Sequence, residues 1–435
     1  MHHRPSGAER AIEVTGIARV EGSGSLRVEV VDGEVAEVAL SIFEPPRYFE
    51  ALLAGRHFEE APDITARICG ICPVAYQMSA CAALESLDTV ELGEPIRALR
   101  RLLYCGEWIQ SHALHIHLLH APDFFGLPDA VALAARDRAA IERGLALKRV
   151  GNLIMETVGG RAIHPVNVRV GGFYRAPTRD EIAALARPLA EARRLALETL
   201  EWVSGFDFPE LNADYRFVAL RGQGFYPIEA GRIASSNGLD VDPLGFDELV
   251  VEEHVARSNA LHARLEGRDS YLTGPLARYA LNAHELPAPV REAAARAGLG
   301  PVCTNPFRSI VVRAVELLFA CDEALRLVEA YEPPEAPAVV VHPRAGIGAG
   351  ATEAPRGLLL HRYEIDAAGR IVTARIVPPT AQNQLVIEAD LRRVVTDGLD
   401  LDDAALTARC EQAVRNHDPC ISCAAHFLEF AMERR

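Results

Sequence analysis

Two Cys-x-x-Cys pairs stand near opposite ends of the chain. Cys69 and Cys72 belong to the segment RICGIC, and Cys420 and Cys423 belong to DPCISC. Thiolates are soft ligands that suit zinc, iron–sulfur clusters or late first-row metals such as nickel. Zinc modules usually place their pairs within about 15–20 residues, whereas about 350 residues separate these two. A site that joins both ends of so long a chain belongs inside a prebuilt core, so the spacing predicts a buried thiolate site without naming the metal.

Two other interpretations of these cysteines stay open. The spacing disfavours a structural zinc site, and a thioredoxin-like dithiol needs a βαβ context that neither pair has. Pro73 can occupy the first turn of a helix over residues 74–87, and the amide groups at that end would lower the pKa of the adjacent thiols. Five single cysteines in apolar or helical surroundings are predicted to be inert core residues: Cys81, Cys105, Cys303, Cys321 and Cys410.

The composition excludes several classes of partner. A chain of 435 residues, 49% of them apolar, can bury a large core, and its net charge of -15 argues against nucleic acid or an anionic membrane surface. No apolar run approaches the roughly eighteen residues of a membrane span, and the N-terminal MHHRPSGAERAIE lacks the apolar stretch of a secretory signal. Nine cysteines without the spacing of a disulfide scaffold favour a reducing compartment, so we expect a cytoplasmic protein.

The hydrophobic pattern predicts an α+β fold that is predominantly helical and forms one domain over residues 1–435. Apolar residues alternate on both sides of the turn signal Asp32-Gly33, and Thr178 and Glu181 form a capping box before a helix that runs to about Val203. The predicted segments are a hairpin at about 24–42, a helical core at about 90–335, a Pro/Gly-rich loop at 332–357, a second hairpin at about 358–378 and a C-terminal metal-binding segment at 400–435. GIGAG at 346–350 is interpreted as flexible loop and not as a nucleotide site, because no helix is expected after it.

Motifs along the whole chain resemble those of one enzyme family. The cysteine pairs resemble the R-x-C-G-x-C and D-P-C-x-x-C-x-x-H signatures of nickel–iron hydrogenase large subunits, and the second is complete here through His426. Further matches are RVEG at 19–22, GGRAIHP at 159–165, TGPLARY at 273–279, EAPRG at 353–357 and PPTAQN at 378–383. The chain length and the segments QSHALH and APDF are most similar to the cytoplasmic branch, which includes NAD(P)-linked enzymes and sulfhydrogenase alpha subunits.

The resemblance implies a Ni–Fe(CO)(CN)2 centre and reversible, heterolytic cleavage of dihydrogen. Cys69 and Cys420 would be terminal ligands of nickel, and Cys72 and Cys423 would bridge nickel to iron. Cys420 would receive a proton and Glu21 would relay it, as a carboxylate shielded from water can do.

Two more pairs of side chains receive roles from the resemblance alone. Arg356 would donate hydrogen bonds to cyanide, with Asp418 as its partner, and Glu50 and His426 would bind a structural magnesium ion. Judged by residue type only, Glu21 could equally be a solvated surface carboxylate or a proton relay. An arginine in a Pro/Gly-rich loop, such as Arg356, is more often simply solvated.

The resemblance also implies partners. They are an iron–sulfur small subunit that takes the electrons, NAD(P)-binding flavin and iron–sulfur diaphorase subunits, a maturation protease and nickel-insertion proteins. The rival hypothesis is a catalytically altered or structural hydrogenase-like subunit of an electron-transfer complex, although such relatives typically lose the paired cysteines.

The sequence departs from the family pattern at three places. Tyr76 and Ser23 stand where the family usually or often has His, which predicts altered rate or oxygen behaviour without loss of the metal site. Residues 427–435 extend past the His after which many members are cut, so the chain is expected to be either an unprocessed precursor or a member that is never cut.

Overall fold

An antiparallel three-stranded sheet opens the fold. In the computed structural model, which describes residues 10–45, 47–89 and 91–425, its strands are β1 (Arg10–Val14), β2 (Gly24–Val31) and β3 (Glu34–Ile42), in that order. Asp32 and Gly33 join β2 to β3 with φ of 54° and 81°, the left-handed pair that a tight hairpin turn requires. The hairpin expected at 24–42 is present, and β1 adds a strand that the pattern did not predict.

Helices dominate the chain from residue 49 to residue 159. They are α1 (Phe49–Leu53), α2 (Ala61–Thr65), α3 (Pro73–Glu85), α4 (Glu94–Leu114), α5 (Ala121–Phe124), α6 (Ala130–Arg136) and α7 (Arg138–Gly159). α3 begins at Pro73, directly after the first cysteine pair, as expected. The residues His115–His120 continue α4 as a π-helix, a local irregularity that is frequent at functional sites.

Helices and short strands alternate in the middle of the chain. The elements are β4 (Val168–Arg169), β5 (Gly172–Phe173), α8 (Arg179–Ala183), α9 (Ala186–Ser204), β6 (Val218–Arg221), β7 (Arg232–Ser235), β8 (Asp240–Val241), α10 (Pro243–Leu249), β9 (Val250–His254), β10 (Leu261–Leu265), α11 (Pro275–Asn282), α12 (Ala288–Arg296) and α13 (Ser309–Glu329). The helical core expected at 90–335 is therefore interrupted by strands, which are too short to show a clear alternation in the sequence. The capping box at Thr178 is present, but the helix predicted to reach Val203 is divided into α8 and α9.

Another three-stranded sheet and three helices complete the described chain. They are β11 (Gly346–Ala354), β12 (Gly357–Ile365), β13 (Ile371–Val377), α14 (Pro379–Asp397), α15 (Asp403–Asn416) and α16 (Ile421–Ala424). The loop predicted at 332–357 is wrong over its second half, because GIGAG begins β11. A β-carbon at Gly348 or Gly350 would collide with the backbone of Ala83 in α3. These glycines thus allow a helix to pack directly on the strand and do not indicate a flexible loop.

Packing brings the two ends of the chain together. The largest apolar cluster includes residues of α3, α4, α7, α9 and α13, and a second joins the N-terminal sheet to α14 and α15. The predicted α+β, predominantly helical class is confirmed, while the single domain over 1–435 stays a prediction. Among the described residues, no helix is both long enough and apolar enough to cross a membrane.

Candidate metal centre

The two cysteine pairs meet in the interior of the protein. The Sγ atoms of Cys69, Cys72, Cys420 and Cys423 all lie within 4.8 Å of one another, and all four residues are buried. Cys69 Sγ is 3.6 Å from Cys420 Sγ, and Cys72 Sγ is 3.7 Å from Cys423 Sγ. No other group of Cys, His or carboxylate side chains in the described part of the chain gathers in this way. The structure thus brings together the four cysteines whose spacing predicted a shared site.

The two sulfurs of each pair contact one another. Cys420 and Cys423 are joined as a disulfide, whereas Cys69 and Cys72 are free thiols. Since thiolates are the form that ligates metals, the disulfide has to be reduced before all four sulfurs can bind one. Burial raises the pKa of Cys69, but the Cys72 thiol, which donates a hydrogen bond at 2.7 Å, and the charge of Arg356 outweigh burial and lower it. Burial and the neighbouring Cys69 raise the pKa of Cys72, so this pair favours a single thiolate.

Distant motifs hold the second cysteine pair. The Cys420 amide donates to Thr380 Oγ1 at 2.9 Å, and Thr380 belongs to the motif at 378–383. Glu21 and Cys420 form a parallel backbone bridge, in which the Ile421 amide donates to the Glu21 carbonyl at 2.9 Å. The motifs near residues 20 and 380 therefore meet at the C-terminal cysteines, although they are far apart in sequence.

The Glu21 side chain lies against the second cysteine pair. Glu21 Oε2 is 3.2 Å from Cys420 Sγ and accepts the Ser422 amide at 2.9 Å. The residue is half-buried, so its carboxylate stands between the sulfur cluster and the exterior. This position is suitable for a group that takes a proton from a sulfur and passes it outward.

Arg356 and Asp418 form a buried pair beside the cysteines. Arg356 is 2% exposed and donates through Nε to the Asp418 carbonyl at 3.0 Å and through Nη2 to Asp418 Oδ1 at 3.2 Å. Burial lowers the pKa of Arg356, but the negative charges of Asp418 and the cysteines outweigh burial and raise it. Arg356 Nη1 has no hydrogen-bond partner among the described residues. A buried, charged donor left unused beside four sulfurs fits a metal centre whose own ligands accept hydrogen bonds.

Comparison with known proteins assigns the site to a family. The family profile described as Nickel-dependent hydrogenase matches residues 47–146, which include the first cysteine pair. The alpha subunit of sulfhydrogenase 1 from Pyrococcus furiosus is 33% identical over 421 residues, which cover 96% of this chain and 98% of that subunit. The chain belongs to the nickel-dependent hydrogenase family. The alpha subunit of sulfhydrogenase 2 from the same organism is 32% identical over 422 residues, with coverages of 96% and 99%.

Solved structures of hydrogenases share this architecture. The crystal structure of an NAD+-reducing nickel–iron hydrogenase in its dihydrogen-reduced state matches with a TM-score of 0.87 at 27% identity, covering 96% of this chain and 99% of that one. A nickel–iron–selenium hydrogenase from Dm. baculatum matches with a TM-score of 0.79 at 22% identity, a likeness of fold alone, covering 96% and 100% of the two chains. The resemblance to hydrogenase large subunits is confirmed.

Of the two residues expected to bind magnesium, the structure describes Glu50 but not His426. The Ile376 amide donates to Glu50 Oε1 at 2.7 Å, which places Glu50 at the start of α1 against β13. His426 lies outside the described residues, as do residues 427–435, so both the magnesium site and the processing of the tail stay predictions.

Three residues near the hydrogenase motifs hold the cysteine loops, and sequence reasoning missed them. Glu107 is fully buried in α4 and accepts the amides of Val74 at 2.6 Å and Ala75 at 3.1 Å, in the first turn of α3. Burial raises the pKa of Glu107 well above its usual value, against the effect of these amides. Two further side chains donate to backbone carbonyls of the cysteine loops: Gln110 to Ile71, and Arg47 to both Ile68 and Ser422. The sequence signal that could have indicated Glu107 is a glutamate next to Trp108, within a helix whose neighbouring residues are mostly apolar.

The two departures from the family pattern occupy different surroundings. Tyr76 is buried in α3, and its hydroxyl has no hydrogen-bond partner within the described chain. Burial and the charges of Cys72 and Cys69 raise the pKa of Tyr76 well above its usual value. Ser23 is exposed, and its amide donates to Glu44 Oε2 at 3.1 Å. The unusual residue at the metal site is therefore Tyr76.

Four histidines in and after α4 are buried polar residues of the core. Their separate partners are Glu316 for His112 at 3.1 Å, the Arg415 carbonyl for His115 at 2.9 Å, Thr199 for His117 at 3.1 Å and Asn416 for His120 at 3.0 Å. His115 also lies 3.9 Å from Asp418, which extends the polar surroundings of the centre.

Proposed function

We propose that this chain is the catalytic large subunit of a nickel–iron hydrogenase and cleaves dihydrogen reversibly and heterolytically. The proposal depends on one observation, a buried cluster of four sulfurs from both ends of a chain of this family, beside an arginine with an unused donor. A structural subunit of an electron-transfer complex, the rival function, would need neither feature.

The cysteines hold the metals. Cys69 and Cys420 would be ligands of nickel, and Cys72 and Cys423 would be ligands of both nickel and iron. All four sulfurs lie within 4.8 Å of one another, which supports a shared centre, and the division of roles among them follows the family resemblance. When bound, the Ni–Fe(CO)(CN)2 centre supplies Lewis acidity toward dihydrogen and takes up its electrons.

Cys420 and Glu21 handle the proton. With the disulfide reduced, the Cys420 thiolate accepts the proton, and Glu21 Oε2 is near enough at 3.2 Å to receive it. The Ser422 amide holds the carboxylate in this position at 2.9 Å. Because Glu21 is half-buried, the proton can pass from it toward solvent.

Arg356 and Asp418 would serve the diatomic ligands of the centre. Asp418 occupies Nε and Nη2 of the guanidinium, which leaves Nη1 to donate to a cyanide nitrogen. A charged donor makes a stronger and better directed hydrogen bond than a neutral one. Arg356 would therefore orient and stabilise the diatomic ligands.

The wider setting follows from the relatives. They are alpha subunits of sulfhydrogenases and a chain of an NAD+-reducing enzyme, so we infer an iron–sulfur small subunit as electron acceptor and NAD(P)-binding diaphorase subunits beyond it. Nickel-insertion proteins and a maturation protease would assemble the centre, Glu50 and His426 would bind magnesium, and the complex would be cytoplasmic.

Infrared spectroscopy of the purified complex tests the proposed function. We expect carbon monoxide and cyanide stretching bands together with nickel in the parent protein. Cys69→Ser should lose both, whereas Cys321→Ser, which changes a buried cysteine of α13, should keep both. Zinc without diatomic bands in the mature parent complex would overturn the proposal, and a complex with no metal at this site would favour the structural subunit.

A further inference from the structure

Arg278 in α11 is fully buried, and all five of its N–H donors are used. Nε and Nη2 donate to the two carboxylate oxygens of Glu316, each at 2.7 Å, and Nη1 donates to Glu353 Oε2 at 3.1 Å. The remaining two donors reach backbone carbonyls, from Nη1 to Ala354 at 2.8 Å and from Nη2 to Pro355 at 2.9 Å. Guanidinium has five donors in a rigid planar fork, and here each has its own acceptor.

The two carbonyls belong to the residues immediately before Arg356. This turn connects β11 to β12, and a close backbone approach holds its other side. Gly274, with φ of 105°, lies so near the Arg356 carbonyl that a β-carbon there would come within 2.7 Å of that oxygen. The motifs TGPLARY and EAPRG are therefore one packed unit, in which the first supplies both the close approach and the guanidinium.

The carboxylates that hold Arg278 are themselves held. Glu316 Oε1 accepts the Tyr226 hydroxyl at 2.8 Å, and Glu353 Oε1 accepts the Leu220 amide at 2.7 Å. The Arg278 guanidinium also lies over the Trp108 ring, 4.5 Å from its centroid. A side chain fixed from so many directions can set the position of the backbone that it binds.

We infer that Arg278 is a positioning residue for Arg356, which it serves by holding the carbonyls of Ala354 and Pro355 so that the Arg356 guanidinium keeps its place beside Asp418 and the sulfur cluster. The role of Arg356 toward cyanide rests on the proposed function, whereas the anchoring of its turn does not. Arg356 has only Asp418 as a partner for its own side chain among the described residues, so the direction of its guanidinium depends on where this turn is held.

Arg278→Lys is the decisive variant, because lysine keeps the charge but cannot supply a planar five-donor fork. Arg100→Lys is its matched control. Arg100 is also a buried arginine of the core, donating to both carboxylate oxygens of Glu85 at 2.9 and 2.7 Å and to the Arg169 carbonyl at 3.2 Å, but it binds no part of the Arg356 turn. A loss of stability alone should be similar in the two variants.

Two readouts on the full chain separate the inference from the proposed function. In the metal-free protein, hydrogen exchange in peptides covering 354–358 should become about tenfold faster or more in Arg278→Lys and stay unchanged in Arg100→Lys. In the metal-loaded complex, the cyanide bands should shift or broaden in Arg278→Lys alone, with nickel retained. If Arg278→Lys does not fold, Tyr226→Phe, which removes one support of Glu316, should cause the same changes to a smaller extent.

Unchanged exchange at 354–358 and unchanged cyanide bands in a folded Arg278→Lys protein would overturn the inference. The same would hold if Arg100→Lys shifted both readouts equally, since the effect would then be a general loss of stability. Absence of diatomic bands in the parent would contradict the proposed function and leave the exchange result to decide whether Arg278 anchors the turn.

Discussion

Glu21 combines two contacts that a surface carboxylate would not have, one to Cys420 Sγ and one to the Ser422 amide. Glu21→Gln should keep the amide contact and lose the ability to carry a proton. Because proton transfer by a positioned side chain contributes about 10²–10⁴-fold, we expect dihydrogen oxidation to fall by about 100-fold or more with nickel content unchanged. Turnover and metal analysis of the purified variant measure this.

Glu44→Gln is the control for this prediction. Glu44 is a nearby carboxylate that accepts the Ser23 amide, so its change should leave turnover near that of the parent. A Glu21→Gln enzyme with parental turnover, or equal losses in both variants, would show that Glu21 is not the relay.

Tyr76 offers a second test at the scale of one residue. Its hydroxyl is buried without a hydrogen-bond partner within the described chain, so it adds little to the stability of the fold. Tyr76→His should keep nickel but change turnover or the rate of inactivation by oxygen, while Tyr76→Phe should load metal and be at least as stable as the parent. Kinetics and inactivation indistinguishable from the parent in Tyr76→His would contradict a functional role for this departure.

At the scale of elements, α4 holds the first cysteine pair in place. Glu107 of α4 accepts two amides of the first turn of α3, and their loss would leave both amides buried without partners. Since each such group costs about 1–3 kcal/mol, Glu107→Ala should lower the free energy of unfolding of the metal-free chain by about 3 kcal/mol or more. Denaturant titration measures it.

Glu142→Ala on α7 is the comparison for Glu107. Its side chain is 61% exposed and pairs with Arg138 on the surface, so its removal should change the free energy of unfolding by less than about 0.5 kcal/mol. A similarly small effect at Glu107 would show that water or a backbone shift satisfies the α3 amides.

The strand β11 makes stability depend on pH through Glu353. Burial raises its pKa to about 7 from 4.5, although Arg278 acts against this. At pH values between 4.5 and about 7, the Glu353 carboxyl is deprotonated in the unfolded chain but still protonated in the folded chain. Raising the pH through this range therefore lowers the free energy of unfolding. Each unit of difference in pKa corresponds to about 1.36 kcal/mol, so the free energy of unfolding should fall by about 3 kcal/mol from pH 4.5 to above pH 7.

Unfolding free energies of the metal-free parent and of Glu353→Gln, measured at pH 5 and pH 7.5, test this dependence. The neighbouring Glu316 has its pKa lowered to about 2, so it titrates below this range. Histidines with lowered pKa values, such as His112, oppose the trend equally in both proteins and cancel in the difference. Equal pH dependence in parent and variant would exclude Glu353 as the cause.

At the scale of the whole molecule, bound metal would link the two ends of the chain. Cys69 and Cys420 are separated by 351 positions, and a cross-link closing so long a loop stabilises by about 6 kcal/mol in the chain-entropy description. For a chain of 435 residues this corresponds to a rise in Tm of about 6 °C. Calorimetry of metal-loaded and metal-free protein under reducing conditions should show it, and Cys69→Ser should abolish the difference.

The fold was predictable where local chemistry and periodicity agreed. Asp32-Gly33 and the Thr178 capping box mark real turns and helix starts, because both act through backbone groups a few residues away. The loop assigned at 332–357 failed for the opposite reason. The glycines of β11 are required by the approach of α3, a segment more than 250 residues earlier, as the hydrogen bond between Ser79 and Thr352 across 273 positions illustrates.

By itself, the sequence identified the family and predicted the ligand set, because thiolate chemistry and motif spacing are properties of the residues and their order. It named the four cysteines, Glu21, Arg356 and Asp418, and the structure brings all seven together. Only the tertiary structure decided what holds them. Glu107 belongs to no motif, and Arg278 belongs to a motif in which it had no assigned role. Glu107 accepts from backbone amides and Arg278 donates to backbone carbonyls, and only packing brings that backbone within reach.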